Sequence, residues 1–186
     1  MAAYADWVAN FIAQNDVADY QLIGHSMGGK IALAHAVRRP LGLRRLVLLA
    51  PSPPTPEPIS AADRAAAMLA FGQAAQAGKT FRTITQSLLP EPLHRLVTAD
   101  NLRTTRASWD AWLQGGSRED ISFLMPAVAV PCALLAGAQD RAITVATQRR
   151  ETLPYLPAGT SLHVVPGAGY LLPLEAPAAV AALVVK

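Results

Sequence analysis

The fold of this chain is decided by the stretch Leu22-Ile23-Gly24-His25-Ser26-Met27-Gly28-Gly29. A short apolar run ends in Gly-x-Ser-x-Gly, and a helix-forming segment from Lys30 to Arg39 follows at once. This order predicts a strand, a tight turn and a helix, with Ser26 at the tip of the turn. We expect strained backbone angles at Ser26, and collisions for any side chain at Gly24 or Gly28. The alternative is a glycine-rich strand-to-helix turn that carries an ordinary serine.

The position of Ser26 at the tip of this turn suits a reactive serine. The turn lifts its hydroxyl clear of the sheet edge. The helix that begins behind it offers backbone N–H groups and the positive end of its dipole to a developing oxyanion. The pattern therefore favours a nucleophilic role for Ser26.

Length and composition narrow the class of protein. The chain has 186 residues, of which 52% are hydrophobic, and this length suits one domain or a core with one insertion. No apolar run is long enough to span a bilayer, and residues 1–20 form an acidic amphipathic pattern, unlike a secretory leader. We therefore expect a soluble cytoplasmic protein, and a removed leader is the alternative.

Charge and cysteine content limit the partners and sites that we expect. The formal net charge of +3 comes from scattered arginines without interleaved aromatic residues, so we expect no nucleic-acid partner and no membrane partner. The single cysteine, Cys132, lies in a predicted buried strand, and one thiol excludes an intrachain disulfide and a cysteine-based zinc site. We expect neither a metal nor a cofactor.

Hydrophobic spacing predicts an alternation of strands and helices in both outer parts of the chain. The first part has a helix over residues 2–15, a strand over Tyr20–Gly24, a helix after Ser26 and a strand over Arg45–Ala50. The last part has a strand over Cys132–Ala136, a helix over Val145–Leu153, a strand over Ser161–Val165 and a helix over Glu175–Val185. This alternation predicts a parallel α/β sheet.

The middle of the chain has a different character. Residues 51–58 contain five prolines and predict a stiff extended exit from the sheet. From Ser60 to Met125 the pattern predicts roughly four helices, which begin with a Ser60–Asp63 capping box. We expect breaks at Gly78, at Pro90 with Pro92, and at Gly115 with Gly116. The apolar residues here, Trp109 and Trp112 among them, are assigned to packing, and lining a substrate pocket is the alternative.

Three motifs in order resemble those of the α/β-hydrolase superfamily. They are Gly-His-Ser-Met-Gly-Gly at residues 24–29, Leu-Leu-Ala-Gly-Ala-Gln-Asp at 134–140, and Val-Val-Pro-Gly-Ala-Gly-x-x-x-x-x-Glu-x-Pro at 164–177. The similarity extends over nearly the whole chain and is greatest to bacterial esterase, lactonase and perhydrolase-like members with a four-helix cap. It implies a partial core of about four mainly parallel strands, formed by residues 1–52 and 127–186, with residues 53–126 inserted as a helical cap.

The resemblance also implies roles for individual residues. Ser26 is the nucleophile, and Asp140, in the loop after the next-to-last strand, is the acid that orients the base. Read from the residues alone, the alternative for Asp140 is a helix-capping or surface carboxylate. The family's base is a histidine at the position that Tyr170 occupies here. A phenol stays neutral at pH 7, so Tyr170 cannot accept the serine proton as an imidazole does. Each of the histidines, His25, His35, His94 and His163, is assigned a structural role.

A second departure concerns the start of the chain. Family members place about four strands and a helix before the elbow, whereas this sequence begins with the helix before the elbow strand. Only the N–H of Met27 can therefore be assigned to the oxyanion hole. The elbow strand becomes an edge strand with uncovered apolar surface, and we expect a homodimer that pairs elbow strands or packs first helices.

The predicted function follows from the resemblance. It implies a carboxylic ester hydrolase that acts on small ester substrates through an acyl-enzyme on Ser26, weakened by the loss of the triad histidine. The serine disfavours the dehalogenase and epoxide-hydrolase branches, which carry an aspartate at this position. The alternative is a catalytically inactive relative that binds a small apolar ligand or acts through its dimer interface.

Overall fold

The sheet has four parallel strands in the computed structural model, which describes residues 1–185. The strands are β1 (Tyr20–His25), β2 (Leu43–Leu49), β3 (Cys132–Gly137) and β4 (Ser161–Val165). They pair in chain order, β1-β2-β3-β4, and each pair of neighbours is parallel. The predicted parallel α/β architecture is confirmed.

Helices connect the strands and fill the long segment between β2 and β3. They are α1 (Ala2–Gln14), α2 (Met27–Ala36), α3 (Ala61–Leu69), α4 (Ala74–Ile84), α5 (Glu91–Leu102), α6 (Arg106–Ala111), α7 (Val145–Thr147), α8 (Leu172–Glu175) and α9 (Pro177–Val184). A π-helical turn, Trp112–Gly116, and a 3₁₀ segment, Ser122–Ala127, follow α6. Within the part of the chain that the structure describes, no helix combines the length and apolarity needed to cross a membrane.

The helices of the insertion begin and end partly as predicted. Ser60 caps α3, and its hydroxyl accepts the Asp63 N–H at 3.0 Å, as expected. The predicted break at Gly78 is wrong, because this glycine lies inside α4. A Cβ at Gly78 would lie 3.3 Å from the His94 ring, so its small size lets α5 pack closely. The break falls at Gly72, whose φ of 72° is one that glycine readily adopts.

Two other predicted helices are interrupted. The segment over Val145–Leu153 starts as α7 but passes into a π turn at Gln148–Thr152 and then a 3₁₀ turn around Pro154, which has no N–H for an α-helical ladder. The segment from Glu175 is also divided, since α8 ends at Glu175 and a new helix begins at Pro177. Proline suits the first position of a helix, where its missing N–H costs nothing.

The sheet is covered on both faces by separate apolar clusters. On one face, α1 and α2 pack with side chains such as Leu33, Leu46 and Leu134, each fully buried. On the other face, Val47, Leu49 and Leu135 pack against Ala168 and the two C-terminal helices, α8 and α9. Strands β2 and β3 are therefore buried on both sides, as their continuous apolar runs predict. Each fully buried leucine contributes roughly 1.5–3 kcal/mol.

Strand β1 is an edge strand of the described sheet, as expected from the sequence. Its outer side has no strand partner, and Ile23 in its middle is 44% exposed. Helix α1, which packs on α2, also exposes large apolar side chains, with Trp7 at 65% and Phe11 at 51%. The two rings stack with their centroids 5.6 Å apart. The described surface therefore combines exposed apolar side chains on α1 and β1 with unpaired backbone groups along β1.

Candidate active site

Ser26 lies at the tip of the turn between β1 and α2. Its φ of 55° and ψ of −125° are unusual for a residue with a side chain, which confirms the predicted backbone strain. Its N–H donates to the Leu49 carbonyl at 3.1 Å, and its carbonyl accepts from the N–H groups of Gly29 and Ser52, both at 2.9 Å. These three hydrogen bonds hold a conformation that costs on the order of 1–3 kcal/mol.

The glycines around Ser26 permit this turn in different ways. A Cβ at Gly24 would lie 2.4 Å from the Gly28 carbonyl oxygen, so the predicted collision there is confirmed. The same prediction for Gly28 is wrong, since a Cβ there meets nothing within 4 Å. The tight position is Gly29, where a Cβ would lie 2.4 Å from the Pro51 side chain. The first helical turn is thus packed against β1 and against the segment that leaves β2.

The structure brings Tyr170 and Ser26 together. The Tyr170 hydroxyl donates a hydrogen bond to Ser26 Oγ. The backbone of Tyr170 is held on both sides, because its N–H donates to the Ile84 carbonyl at 3.0 Å and its carbonyl accepts from His25 Nε2 at 2.9 Å. The imidazole of His25 also packs on the phenol ring, with centroids 4.8 Å apart. His25 therefore contacts both the backbone and the ring of Tyr170, in keeping with the structural role assigned to it.

The surroundings of Tyr170 keep its phenol protonated. Burial raises the pKa of Tyr170, the Ser26 contact opposes this, and the carboxylates of Glu57 and Asp140 add to the rise. Burial also lowers the pKa of His25, and its hydrogen bond to the Tyr170 carbonyl partly offsets that effect. Because that carbonyl can only accept, the bond places a proton on Nε2. Neither group is free to take the hydroxyl proton of Ser26 in this arrangement.

Asp140 lies in the loop after β3 and is 5% exposed. Its Oδ1 accepts the N–H groups of Ala142 at 2.7 Å and Ile143 at 2.9 Å. Its Oδ2 is buried and has no hydrogen-bond partner among residues 1–185. Burial raises the pKa of Asp140 to about 6, the two N–H groups oppose this, and the charge of Glu175 adds to it. One oxygen is thus engaged by the loop, while the other remains available as an acceptor.

Ser26 and Met27 face a cavity of about 280 Å³. Its lining is mostly apolar and includes aromatic side chains from α1 and from the helical insertion. The other lining residues are Tyr4, Thr104, Ser108, Trp109, Trp112 and Leu113. The assignment of Trp109 and Trp112 to packing alone is therefore too narrow, since both line a cavity next to Ser26. Met27 is the first residue of α2, where a backbone N–H has no intrahelical acceptor.

Buried charges that the sequence analysis did not single out tie the insertion to α2. Lys30 is fully buried, and its Nζ donates to the carbonyls of Thr55 at 3.0 Å and Glu119 at 2.5 Å, which lie at the two ends of the insertion. Burial lowers the pKa of Lys30, and nearby carboxylates, Glu57 first, oppose this. Burial likewise raises the pKa of Glu57. A hydrogen bond with Ser52 and the charges of Lys30 and then Arg64 oppose this rise. The sequence carried no signal for this role beyond a lysine in the predicted helix after Ser26.

Comparison with protein families and solved structures shows what this chain is similar to. The model of the Alpha/beta hydrolase family matches residues 1–183. No curated protein matches the chain. Among solved structures, an esterase from Exiguobacterium antarcticum is 18% identical with a TM-score of 0.87, and the alignment covers 97% of this chain and 70% of that one.

Two further solved structures show the same fold. A bromoperoxidase from Bacillus anthracis is 14% identical with a TM-score of 0.85, over 97% of this chain and 71% of that one. The enol-lactonase from Burkholderia xenovorans LB400 is 20% identical with a TM-score of 0.79, over 97% of this chain and 70% of that one. This chain thus corresponds to about 70% of the length of each of these structures.

Proposed function

The chain belongs to the alpha/beta hydrolase family, and on that premise we propose that it is a carboxylic ester hydrolase acting through Ser26. The observation that carries the proposal is the position of Ser26, which is held in a strained turn and faces an apolar cavity of about 280 Å³. A cavity of this size and lining suits the acyl group of a small or medium ester. The esterase and the lactonase among similar structures are in keeping with this substrate class.

The proposed reaction has two stages. Ser26 Oγ forms a bond to the acyl carbon, the serine proton leaves, and the ester's alcohol departs with a proton, which leaves an acyl-enzyme. Water then adds to the acyl carbon, the acid is released, and Ser26 regains its proton. The Met27 N–H would stabilise the oxyanion in both stages. Asp140 would orient whichever group accepts the serine proton.

The weak point of this site is the base. Tyr170 contacts Ser26 where the family's histidine is expected, but burial raises the pKa of this phenol further above neutrality. A positioned general base typically contributes a factor of about 10²–10⁴. We therefore propose low turnover for the chain as it stands. The same observation favours the second candidate, a non-catalytic protein that uses the cavity to bind a small apolar ligand.

Hydrolysis of p-nitrophenyl acetate tests the proposal. We would compare the parent chain with its Ser26→Ala, Tyr170→His and Tyr170→Phe variants. We expect Tyr170→His to raise turnover at least about a hundredfold, since it restores an imidazole next to Ser26. The matched Tyr170→Phe variant removes the hydroxyl without adding a base and should give no such rise. Activity that survives Ser26→Ala, or no activity in any variant, would contradict the proposal.

Covalent labelling separates the two candidate functions. An organophosphonate reacts with a serine that is activated for attack and forms a stable adduct on its oxygen. We expect mass spectrometry to find the adduct on Ser26, rapidly in Tyr170→His and slowly in the parent. Absence of labelling in both proteins, together with binding of apolar ligands, would support the non-catalytic alternative.

We also propose that the chain forms a homodimer. The support is the combination of an unpaired β1 edge with the exposed apolar side chains of Trp7, Phe11 and Ile23. Exposed strand edges and contiguous apolar surface are features that proteins usually cover. Light scattering over micromolar dilution should give twice the chain mass, and Trp7→Lys should shift the equilibrium toward the monomer. A parent chain that stays at monomer mass throughout would refute this arrangement.

The domain organisation and location are proposed in the same way. Residues 53–126 form a cap, and residues 1–52 with 127–186 form the core, because α3 to α6 all lie between β2 and β3. Participation of Trp109 and Trp112 in the Ser26 cavity supports a cap that lies over the site.

A cytoplasmic location remains our proposal, and cell fractionation tests it.

A further inference from the structure

One carboxylate, that of Glu175, joins two segments that are far apart in the sequence. Its Oε2 accepts the backbone N–H groups of Gly169 at 3.0 Å, Gln86 at 2.7 Å and Ser87 at 3.2 Å, and the Ser87 hydroxyl lies 3.4 Å away. Its Oε1 accepts the Leu171 N–H at 2.9 Å. Four backbone donors from the α4–α5 connection and from the loop before α8 thus converge on a single side chain.

Tyr170 lies between the two loop donors. The N–H groups of Gly169 and Leu171 both point to Glu175, while the N–H of Tyr170 itself donates to the Ile84 carbonyl at the end of α4. A Cβ at Gly169 would lie 2.7 Å from both the Gln86 nitrogen and the Ile84 oxygen. The backbone of the α4–α5 connection is therefore in direct contact with the loop that holds Tyr170.

We propose that Glu175 is a positioning residue. Its carboxylate joins the α4–α5 connection to the loop that holds Tyr170, and we call this set of hydrogen bonds the latch. The insertion and Tyr170, which contacts Ser26, therefore move as one unit. An ionised carboxylate suits this role because it has about four lone-pair sites and donates no hydrogen. Its hydrogen bonds to N–H groups are also stronger than those of a neutral acceptor. The latch itself is independent of catalysis, whereas its effect on turnover rests on the proposed function.

The variant Glu175→Gln isolates the latch. Glutamine keeps the length and shape of the side chain, but it replaces one oxygen by an NH₂ group, which would face N–H donors instead of accepting from them. The matched control is Glu91→Gln, which alters an exposed ion pair with Arg95 on α5 of the same insertion. Glu175→Ala, which removes the side chain, serves as the more severe form of the test.

Amide proton resonances report the latch directly. In the parent, the N–H groups of Gln86, Ser87, Gly169 and Leu171 should exchange slowly with solvent, because all four donate to one carboxylate. In Glu175→Gln, exchange of the four amides with solvent should accelerate at least about tenfold together. Amides of β3 should keep their protection.

Two results would overturn the proposal. One is exchange of the four amides in Glu175→Gln that is as slow as in the parent. The other is faster exchange at Gly169 and Leu171 while Gln86 and Ser87 keep their protection in both Glu175 variants. In either case the two segments would not share a carboxylate. If β3 amides also lose protection in Glu175→Ala, the comparison rests on the milder Glu175→Gln.

The consequence for catalysis is measured separately, in the Tyr170→His background. There Glu175→Gln should lower kcat about ten- to hundredfold with little change in KM, because a reacting group displaced by about 1 Å costs on that order. Glu91→Gln should leave both constants unchanged. An inactive Tyr170→His chain would contradict the proposed function, while the amide measurements would still decide the latch. A Glu175→Gln enzyme with unchanged kcat would refute the positioning role.

Discussion

The substitution Asp140→Asn should remove a pH dependence from the stability of this protein. Burial raises the pKa of Asp140 from 3.8 to about 6, so the folded chain holds this proton more tightly than the unfolded chain does. The free energy of unfolding therefore falls as pH rises through this interval and levels off above about pH 6. Acid stabilises the fold at this position, which is the reverse of the usual behaviour of a paired carboxylate.

The size of the effect follows from the two pKa values. Their separation corresponds to about 3 kcal/mol over the full titration, at 1.36 kcal/mol for each factor of ten. Between pH 4.5 and pH 7 the contribution of Asp140 changes by about 2 kcal/mol. The asparagine variant cannot ionise, so this change should be absent from it. Any constant effect of the substitution, such as an unsatisfied buried amide, cancels when two pH values are compared.

Urea unfolding at a series of pH values measures this difference. We expect the unfolding free energy of the parent, relative to Asp140→Asn, to fall by about 2 kcal/mol from pH 4.5 to pH 7, with equal slopes against urea. The control is Asp120→Asn, at an exposed carboxylate whose pKa is lowered by hydrogen bonds from Ser122. Its difference profile should be nearly flat between pH 4.5 and pH 7, because a carboxylate with a lowered pKa changes its contribution to stability only as pH falls below about 3.8, its ordinary value.

Parallel profiles for the parent and Asp140→Asn, within a few tenths of a kcal/mol, would refute the reasoning. They would mean that Asp140 titrates alike in the folded and unfolded chains, and that its burial is relieved in solution. Oδ2 of Asp140 would then be hydrated in solution and not buried without a partner. In Tyr170→His, the introduced imidazole would then be less well oriented by Asp140.

Three further outcomes follow from the packing around Ser26. Gly24→Ala should destabilise the fold by roughly 2 kcal/mol or more, because its Cβ would meet backbone atoms, whereas Gly28→Ala, with open space around it, should be tolerated when both are compared by thermal unfolding. Lys30→Met should cost about 2–4 kcal/mol in urea unfolding, since it leaves the buried Thr55 carbonyl and the partly buried Glu119 carbonyl without their donor. Trp112→Ala, made in the Tyr170→His background, should enlarge the cavity and shift the preference among p-nitrophenyl esters toward longer acyl chains.

Elements that depend on local pattern were predictable from the sequence. The limits of β4, Ser161–Val165, were predicted without error, and α1 was predicted to within one residue at its end. In both cases the spacing of apolar residues along the chain determines where the element begins and ends. The strained turn at Ser26 was also predictable, because its glycines and the flanking strand and helix act over a few residues.

Features that depend on distant contacts were not predictable in this way. Gly78 was read as a breaker but lies inside α4, since a helix tolerates a glycine when α5 packs against it. Tyr4 reaches the Ser26 cavity from α1, and no local signal indicates that contact. The role of Glu175 was equally hidden. The motif that contains Glu175 is visible in the sequence, but the four N–H donors that converge on its side chain come from two separate segments.

The order of synthesis has a particular bearing on this sheet. Its second face, formed by Val47, Leu49 and Leu135, is covered by Ala168 and by the helices of residues 172–184, which a ribosome delivers after all four strands. The first face has its cover, α1 and α2, before β3 has been made. A nascent chain therefore carries a half-covered sheet until residues 172–184 emerge. We expect stop codons or frameshifts just before residue 172 to be as damaging as substitutions in β2 itself.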